Sequence, residues 1–107
     1  MYYRYIAQER SGSGWKGLCQ VLTPDCRRKI GQFISEPKWY RTHPDIDSEC
    51  WFTEQGYNKY HKKIEEIIDH YKENWGELKV RLLKATQLDN IVMVGKIQII
   101  RLKENKK

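Results

Sequence analysis

No stretch of this 107-residue chain approaches the roughly 18–20 consecutive apolar residues that a membrane-spanning helix needs. The opening MYYRYIAQER lacks the apolar centre of a secretory signal. A cytoplasmic protein without membrane association is therefore expected. Cysteine is scarce too: Cys19, Cys26 and Cys50 are odd in number and widely spaced. A disulfide-stapled secreted scaffold would show an even and denser set, so these read as reduced thiols, largely buried as small hydrophobes. Signature motifs are also missing. There is no G-x-S-x-G, no H-E-x-x-H, no Walker loop, no glycine-rich phosphate turn and no RNA-recognition core of the K/R-G-F/Y type. The spacings His43-x6-Cys50 and Cys50-x10-His61 match none of the close-paired zinc patterns, so neither metal nor cofactor is expected. Only two alanines stand against eleven isoleucines and thirteen lysines, the bias of an AT-rich coding sequence.

What is present describes an ordinary folded protein. Apolar residues make up 39% and charged residues 32% of a length that suits one core and not two. The reading is a single domain over 1–103 with a basic tail at 104–107. Lys and Arg outnumber Asp and Glu by 20 to 14, a net charge of +6 that favours anionic partners: nucleic acid, nucleotides or an acidic protein face.

Periodicity gives an element order. YYRYIAQ alternates like a strand, with Tyr3 and Tyr5 on one face and Arg4 and Ile6 on the other. SGSG turns, and WKGLCQVL reads as the returning arm of a hairpin. Thr23-Pro24-Asp25 starts a helix: an N-cap, proline at the first position, an acid in the first turn. Cys26, Ile30, Phe33 and Ile34 form its apolar face, and it ends near Ser35. Residues 35–50, with Pro37 and Pro44 and no period, read as an irregular connection. Thr53 caps a long helix striped by Tyr57, Tyr60, Ile64, Ile67, Ile68, Tyr71 and Trp75, with Phe52 stapled to Tyr57 and Gly76 ending it. ELKVRLLKA and IVMVGKIQIIRL follow as strands, with Gly95 a bulge in the second. The fold class is α+β in the order β-β-α-α-β-β, an antiparallel sheet of about four strands with two helices packed on one face.

Two groups of residues lead the candidates for function, with two further sets behind them. Arg27, Arg28 and Lys29 place three cations in the first turns of a helix, a position that suits phosphate binding beside free backbone N–H groups. Trp39, Tyr40, Arg41 and His43 crowd the long connection, where surplus aromatics offer rigid contact area. A basic, aromatic sheet face from Lys79, Arg81, Lys96 and Gln98 is the second basic surface, suited to single-stranded nucleic acid or to a homodimer through the sheet face or a free edge. A hydrolase centred on His43, Asp45, Asp47 and His61 is the third reading. It needs a base within about 3 Å of its nucleophile and an oriented partner for that base.

HPDIDSECWFTEQGYNKYH, the YYRYI start and the closing IVMVGKIQII together resemble small proteins encoded by phages and mobile elements of AT-rich bacteria. Proteins of that type include anti-CRISPR and other anti-defence factors, commonly stoichiometric binders without catalytic machinery. The resemblance implies a non-catalytic protein that inhibits or modulates a host nucleic-acid-handling machine by binding it. The basic charge departs from acidic DNA mimics and points instead to guide RNA, a nucleotide signal or an acidic patch on the effector. The alternative is a nucleic-acid-binding regulator proper.

Overall fold

The computed structural model describes residues 1–8, 14–32, 34 and 47–103. It is α+β, with nine elements in order: β1 (Tyr2–Gln8), β2 (Trp15–Gly17), α1 (Leu18–Val21), α2 (Pro24–Gly31), β3 (Ser48–Phe52), α3 (Glu54–Trp75), β4 (Val80–Ala85), β5 (Ile91–Val94) and β6 (Gln98–Leu102). The sheet is antiparallel throughout its pairings, but the described residues form six strands rather than four and three helices rather than two.

Three differences from the sequence pattern account for the count. The second strand stops at Gly17, and LCQV becomes a one-turn helix. Leu18 and Leu22 are both buried at helical spacing, Leu22 N–H bonds Leu18 C=O at 3.1 Å, and Gln20 Oε1 accepts the Gly17 N–H at 3.2 Å. The end of the presumed irregular connection is strand β3, paired along its whole length with β6. The closing run is not one strand but a hairpin. Gly95 sits at the turn, its N–H bonded to Gln98 C=O at 2.9 Å, and a Cβ there would lie 2.8 Å from that same oxygen. The register slip falls instead between Ile91 and Met93.

Strand β1 is the axis of the sheet. One edge pairs with β4 over six residues, from Tyr2↔Ala85 to Ala7↔Val80. Its other edge is shared: Ile6, Ala7 and Gln8 pair with β2, while only Tyr3 pairs with β3, at Phe52. The sheet is thus split between β2 and β3, with Arg4 and Tyr5 at the fork. β6 and then the edge strand β5 continue beyond β3.

Helix α3 lies against β1 and β3. Ile64, Ile67, Ile68 and Tyr71, at i, i+3, i+4 and i+7, are its buried stripe, each contributing about 1.5–3 kcal/mol of burial. Thr53 caps it, Oγ1 accepting the Gly56 N–H at 3.1 Å, and Gly76 ends it at φ 114°. A Cβ at Gly56 would collide with the Ile97 carbonyl oxygen, so glycine lets the first turn of α3 seat on the β5–β6 turn. The stripe fails at its last member. Trp75 is 46% exposed, beyond the reach of the core at the final residue of the helix. The rings at the other end form a stack: Tyr3 on Tyr57 at 4.0 Å and Tyr57 on His61 at 4.8 Å. Tyr5 meets Phe52 edge-on at 6.5 Å. Burial, aided by Tyr57 and Glu65, pushes the Tyr5 hydroxyl well above its ordinary ionisation range. No helix among the described residues is long and apolar enough to cross a membrane.

Candidate binding surfaces flanking helix α2

Helix α2 begins as its sequence specifies: Thr23 Oγ1 accepts the Cys26 N–H at 3.4 Å, Pro24 holds the first position, and Asp25 sits in the first turn. It closes at Gly31, earlier than the apolar spacing implies, with Ile34 still buried just beyond it. Because the helix is only eight residues long, Arg28 and Lys29 fall in its last turn, where the macrodipole favours cations. The free N–H groups of its N-terminus lie at the opposite end, and Arg27 N–H already bonds Thr23 C=O at 3.0 Å.

Cys26 and Ile30 are buried, so the helix turns its 26–30 line inward. At 100° per residue, Arg27 and Lys29 then flank that line on opposite sides and Arg28 points outward. The three cations therefore do not act as one cluster. Arg28 and Lys29 border a groove of about 320 Å³ between α2 and the last turns of α3, with Gln32, His70, Asn74 and Trp75 along it. Arg28 Nη1 lies 3.5 Å from Asp25, both well exposed, a pair of small energetic weight. Asn74 Nδ2 donates to the His70 carbonyl at 2.8 Å, fixing the far wall. The groove thus has an exposed indole beside two exposed cations, with Asp25 also on its lining.

Arg27 borders a different cavity, a cleft of about 340 Å³ entered where the sheet divides. Its sheet wall is set by register: Ser48, Cys50 and Phe52 share one face of β3, and Gln98 lies opposite Phe52. Ile30 and Ile64 come from the helices, and Arg4 stands at the fork. Arg4 Nη1 donates to the Cys50 carbonyl at 2.8 Å, supplying from a side chain the bond that the parted strands do not make. Its other terminal nitrogen sits 2.7 Å from where a Gly17 Cβ would be, so glycine at 17 leaves the guanidinium its place. Ser48 Oγ and Gln98 Oε1 are shut off from solvent and have no hydrogen-bond partner among the described residues. Each such orphan costs about 1–3 kcal/mol.

On the opposite face of β3, Glu49 accepts from Arg101 Nη1 at 2.7 Å and from Trp51 Nε1 at 3.0 Å. Burial, the largest single influence on its carboxyl, would raise the pKa. The Trp51 and Arg101 hydrogen bonds and the charges of Arg4 and Arg101 outweigh it, and the net shift is downward.

The remaining sequence candidates divide. Trp39, Tyr40, Arg41, His43 and Asp45 lie outside the described residues. Asp47 is exposed before β3, its carbonyl accepting the Lys103 N–H at 3.2 Å. His61 is held as a structural ring, stacked on Tyr57 with Nδ1 donating to the Tyr57 carbonyl at 2.9 Å. The described residues contain no group of three potential metal ligands. The basic sheet face does not assemble as one strip. Arg81 covers the Trp15 ring at 4.3 Å on the face away from α3, whereas Gln98 faces the cleft. Edge strand β5 exposes Ile91, Val92 and Val94.

Sequence reasoning named the cations of α2, placed Gln98 on a basic sheet face and Trp75 in the core stripe of its helix, and missed Arg4 and Ser48 as site residues. The composition of SECWF, with alternating small or apolar and larger residues, was the one available signal for β3. No family model, curated protein or solved structure matches this chain.

Proposed function

We propose that this is a non-catalytic binding protein, encoded by a phage or mobile element, that modulates a host nucleic-acid-handling machine by stoichiometric contact with an anionic surface of that machine. The observation that carries it is the groove in which Trp75, 46% exposed, adjoins Arg28 and Lys29. A large exposed aromatic beside cations has the composition of interface hot spots, where tryptophan and basic groups contribute most of the binding energy. The net charge of +6 supports an acidic or phosphorylated target, and the likeness of HPDIDSECWFTEQGYNKYH to small anti-defence proteins supports the biological setting. Trp39, Tyr40, Arg41 and His43 belong to the same proposal as further contact residues, and the exposed apolar side chains of edge strand β5 support a homodimer through that edge.

Direct binding of nucleic acid is the second reading. Trp75 beside two cations, and Arg81 over Trp15, are arrangements that stack bases and hold phosphates. The hydrolase reading draws least support, because the His61 ring is committed to Tyr57.

Fluorescence anisotropy tests the proposal, using labelled single-stranded RNA, single-stranded DNA, duplex DNA and a poly-glutamate peptide at about 50 and 200 mM salt. Affinity for at least one, weakening steeply with salt, is the expected result. Tight binding of the nucleic acids alone puts the second reading first, and no binding of any of the four at low salt removes the anionic-partner proposal.

A further inference from the structure

We propose that the cleft at the sheet fork is a binding site for a small organic anion: one carboxylate or phosphate on a compact apolar body that carries an O–H or N–H donor. Three observations converge on that chemistry. The first is charge. Arg4 and Arg27 border the cleft, and no aspartate or glutamate does so among the described residues. Arg4 also feels Glu49, but that carboxylate is engaged by Arg101 and Trp51 on the other face of β3. A guanidinium presents paired donors that match a carboxylate or phosphate edge to edge, and Arg4 is already oriented by the Cys50 carbonyl.

The second observation is the lining and the size. Phe52, Ile30 and Ile64 give apolar walls around about 340 Å³, within the range of small-molecule sites, which combine apolar lining with few fixed polar groups. The third is polar. Ser48 Oγ and Gln98 Oε1, both on residues of the cleft wall, lack partners among the described residues, although buried polar atoms are nearly always paired. Both atoms are closed off from solvent, so they meet a ligand only when the Ser48 and Gln98 side chains rotate into the cleft. Gln98 Oε1, an acceptor only, then calls for a donor on the ligand, and Ser48 Oγ serves in either role. An anionic head at the arginines and a donor-bearing body on the β3–β6 wall answer all three. This site is independent of the α2–α3 groove, since Arg27 and Lys29 flank α2 on opposite sides.

The test is a titration of the full-length 15N-labelled protein, followed by its amide spectrum, with adenosine monophosphate and 4-hydroxyphenylacetate as the phosphate and carboxylate forms. Inorganic phosphate and acetate serve as the heads alone. At least one organic anion is expected to shift the amides of Gly17, Gln20, Ser48 and Gln98 saturably, about tenfold or more tighter than its head group. Which of the two binds better identifies the source of the anion. Arg27→Gln, on an exposed helical position, is expected to weaken that binding about tenfold with the spectrum otherwise intact, whereas Arg28→Gln, the same charge change on the outward face, leaves it unchanged. The proposal is overturned if neither organic anion saturates by about 10 mM, if the head groups bind equally well, or if Arg28→Gln weakens binding as much as Arg27→Gln.

Discussion

The two flanks of α2 carry the same residue types at adjacent positions yet make unlike surfaces. On one side Arg28 and Lys29 stand in an open groove with an exposed indole, and their charge is screened by water. On the other, Arg27 faces a cleft whose second arginine is held by a backbone carbonyl and whose wall carries two unpartnered polar atoms. The difference arises from what lies across from each flank. Opposite the groove is the C-terminal end of α3, where the core runs out; opposite the cleft is the fork at which β3 leaves β1 after a single residue pair. A run of cations in sequence is therefore no guide to a shared role. The neighbouring element decides whether a cation meets a large partner or a small ligand.

Both surfaces are disturbed most through α3, the helix that lines each of them. Gly56→Ala forces a methyl into the Ile97 carbonyl and lifts the first turn of α3, the helix that supplies Ile64 to the cleft and His70, Asn74 and Trp75 to the groove. A loss of about 2–3 kcal/mol is expected in denaturant unfolding, with both binding activities reduced together.

A change in the β3–β6 half tests the wall behind the cleft, away from the groove. Glu49→Gln removes the charge from a bond in which both side chains are mostly buried, at about 1–2 kcal/mol. The native carboxyl is depressed, so its contribution is fully present above the unfolded-state value of about 4.3 and is lost as pH falls through the lower folded-state value. The stability gap between wild type and Glu49→Gln is thus widest near neutrality and closes in acid below about pH 4, which urea midpoints across pH will show. A gap that persists unchanged in acid would mean that packing, not charge, is responsible.

Gly17→Ala is smaller and more local. Its backbone, at φ −57°, accepts alanine, but the new Cβ takes the place of the Arg4 guanidinium. The expected cost is about 1 kcal/mol from the displaced hydrogen bond to Cys50. Binding in the cleft falls while binding in the groove is unaffected. At the low end, Arg28→Gln neutralises one exposed cation in the last turn of α2, and the thermal midpoint is expected to move by the equivalent of about 0.5 kcal/mol.

The parts of this architecture that could be read from sequence are those fixed by local chemistry. Thr23-Pro24 and Thr53 announce their helices, Gly76 ends one, and the isoleucine stripe of α3 orients it. What escaped depends on pairing between distant residues. Trp51 and Phe52 are buried on opposite faces of β3, which blurs the alternation that marks a half-buried strand. Leu18, Val21 and Leu22 sit in a run too short for its period to separate helix from strand. Gly95 serves a tight turn as readily as a bulge. The same holds for the surfaces: Arg28 and Lys29 were legible as an exposed cationic pair, whereas Arg4, Ser48 and Gln98 come from β1, β3 and β6 and meet only because the sheet divides. Trp75 continues the helical period and so reads as core, yet the core ends one turn before it.

Charge reversal at the groove, read in the anisotropy assay, decides whether Arg28 and Lys29 form the contact surface. Arg28→Glu with Lys29→Glu is expected to abolish binding to whichever anionic partner the wild type holds, or to lower its log–log salt slope by about 2 when the partner is nucleic acid. Arg27→Gln leaves that binding within about twofold, since it faces the cleft. If the double reversal leaves affinity and salt dependence unchanged, the groove is not the contact surface and the assignment fails.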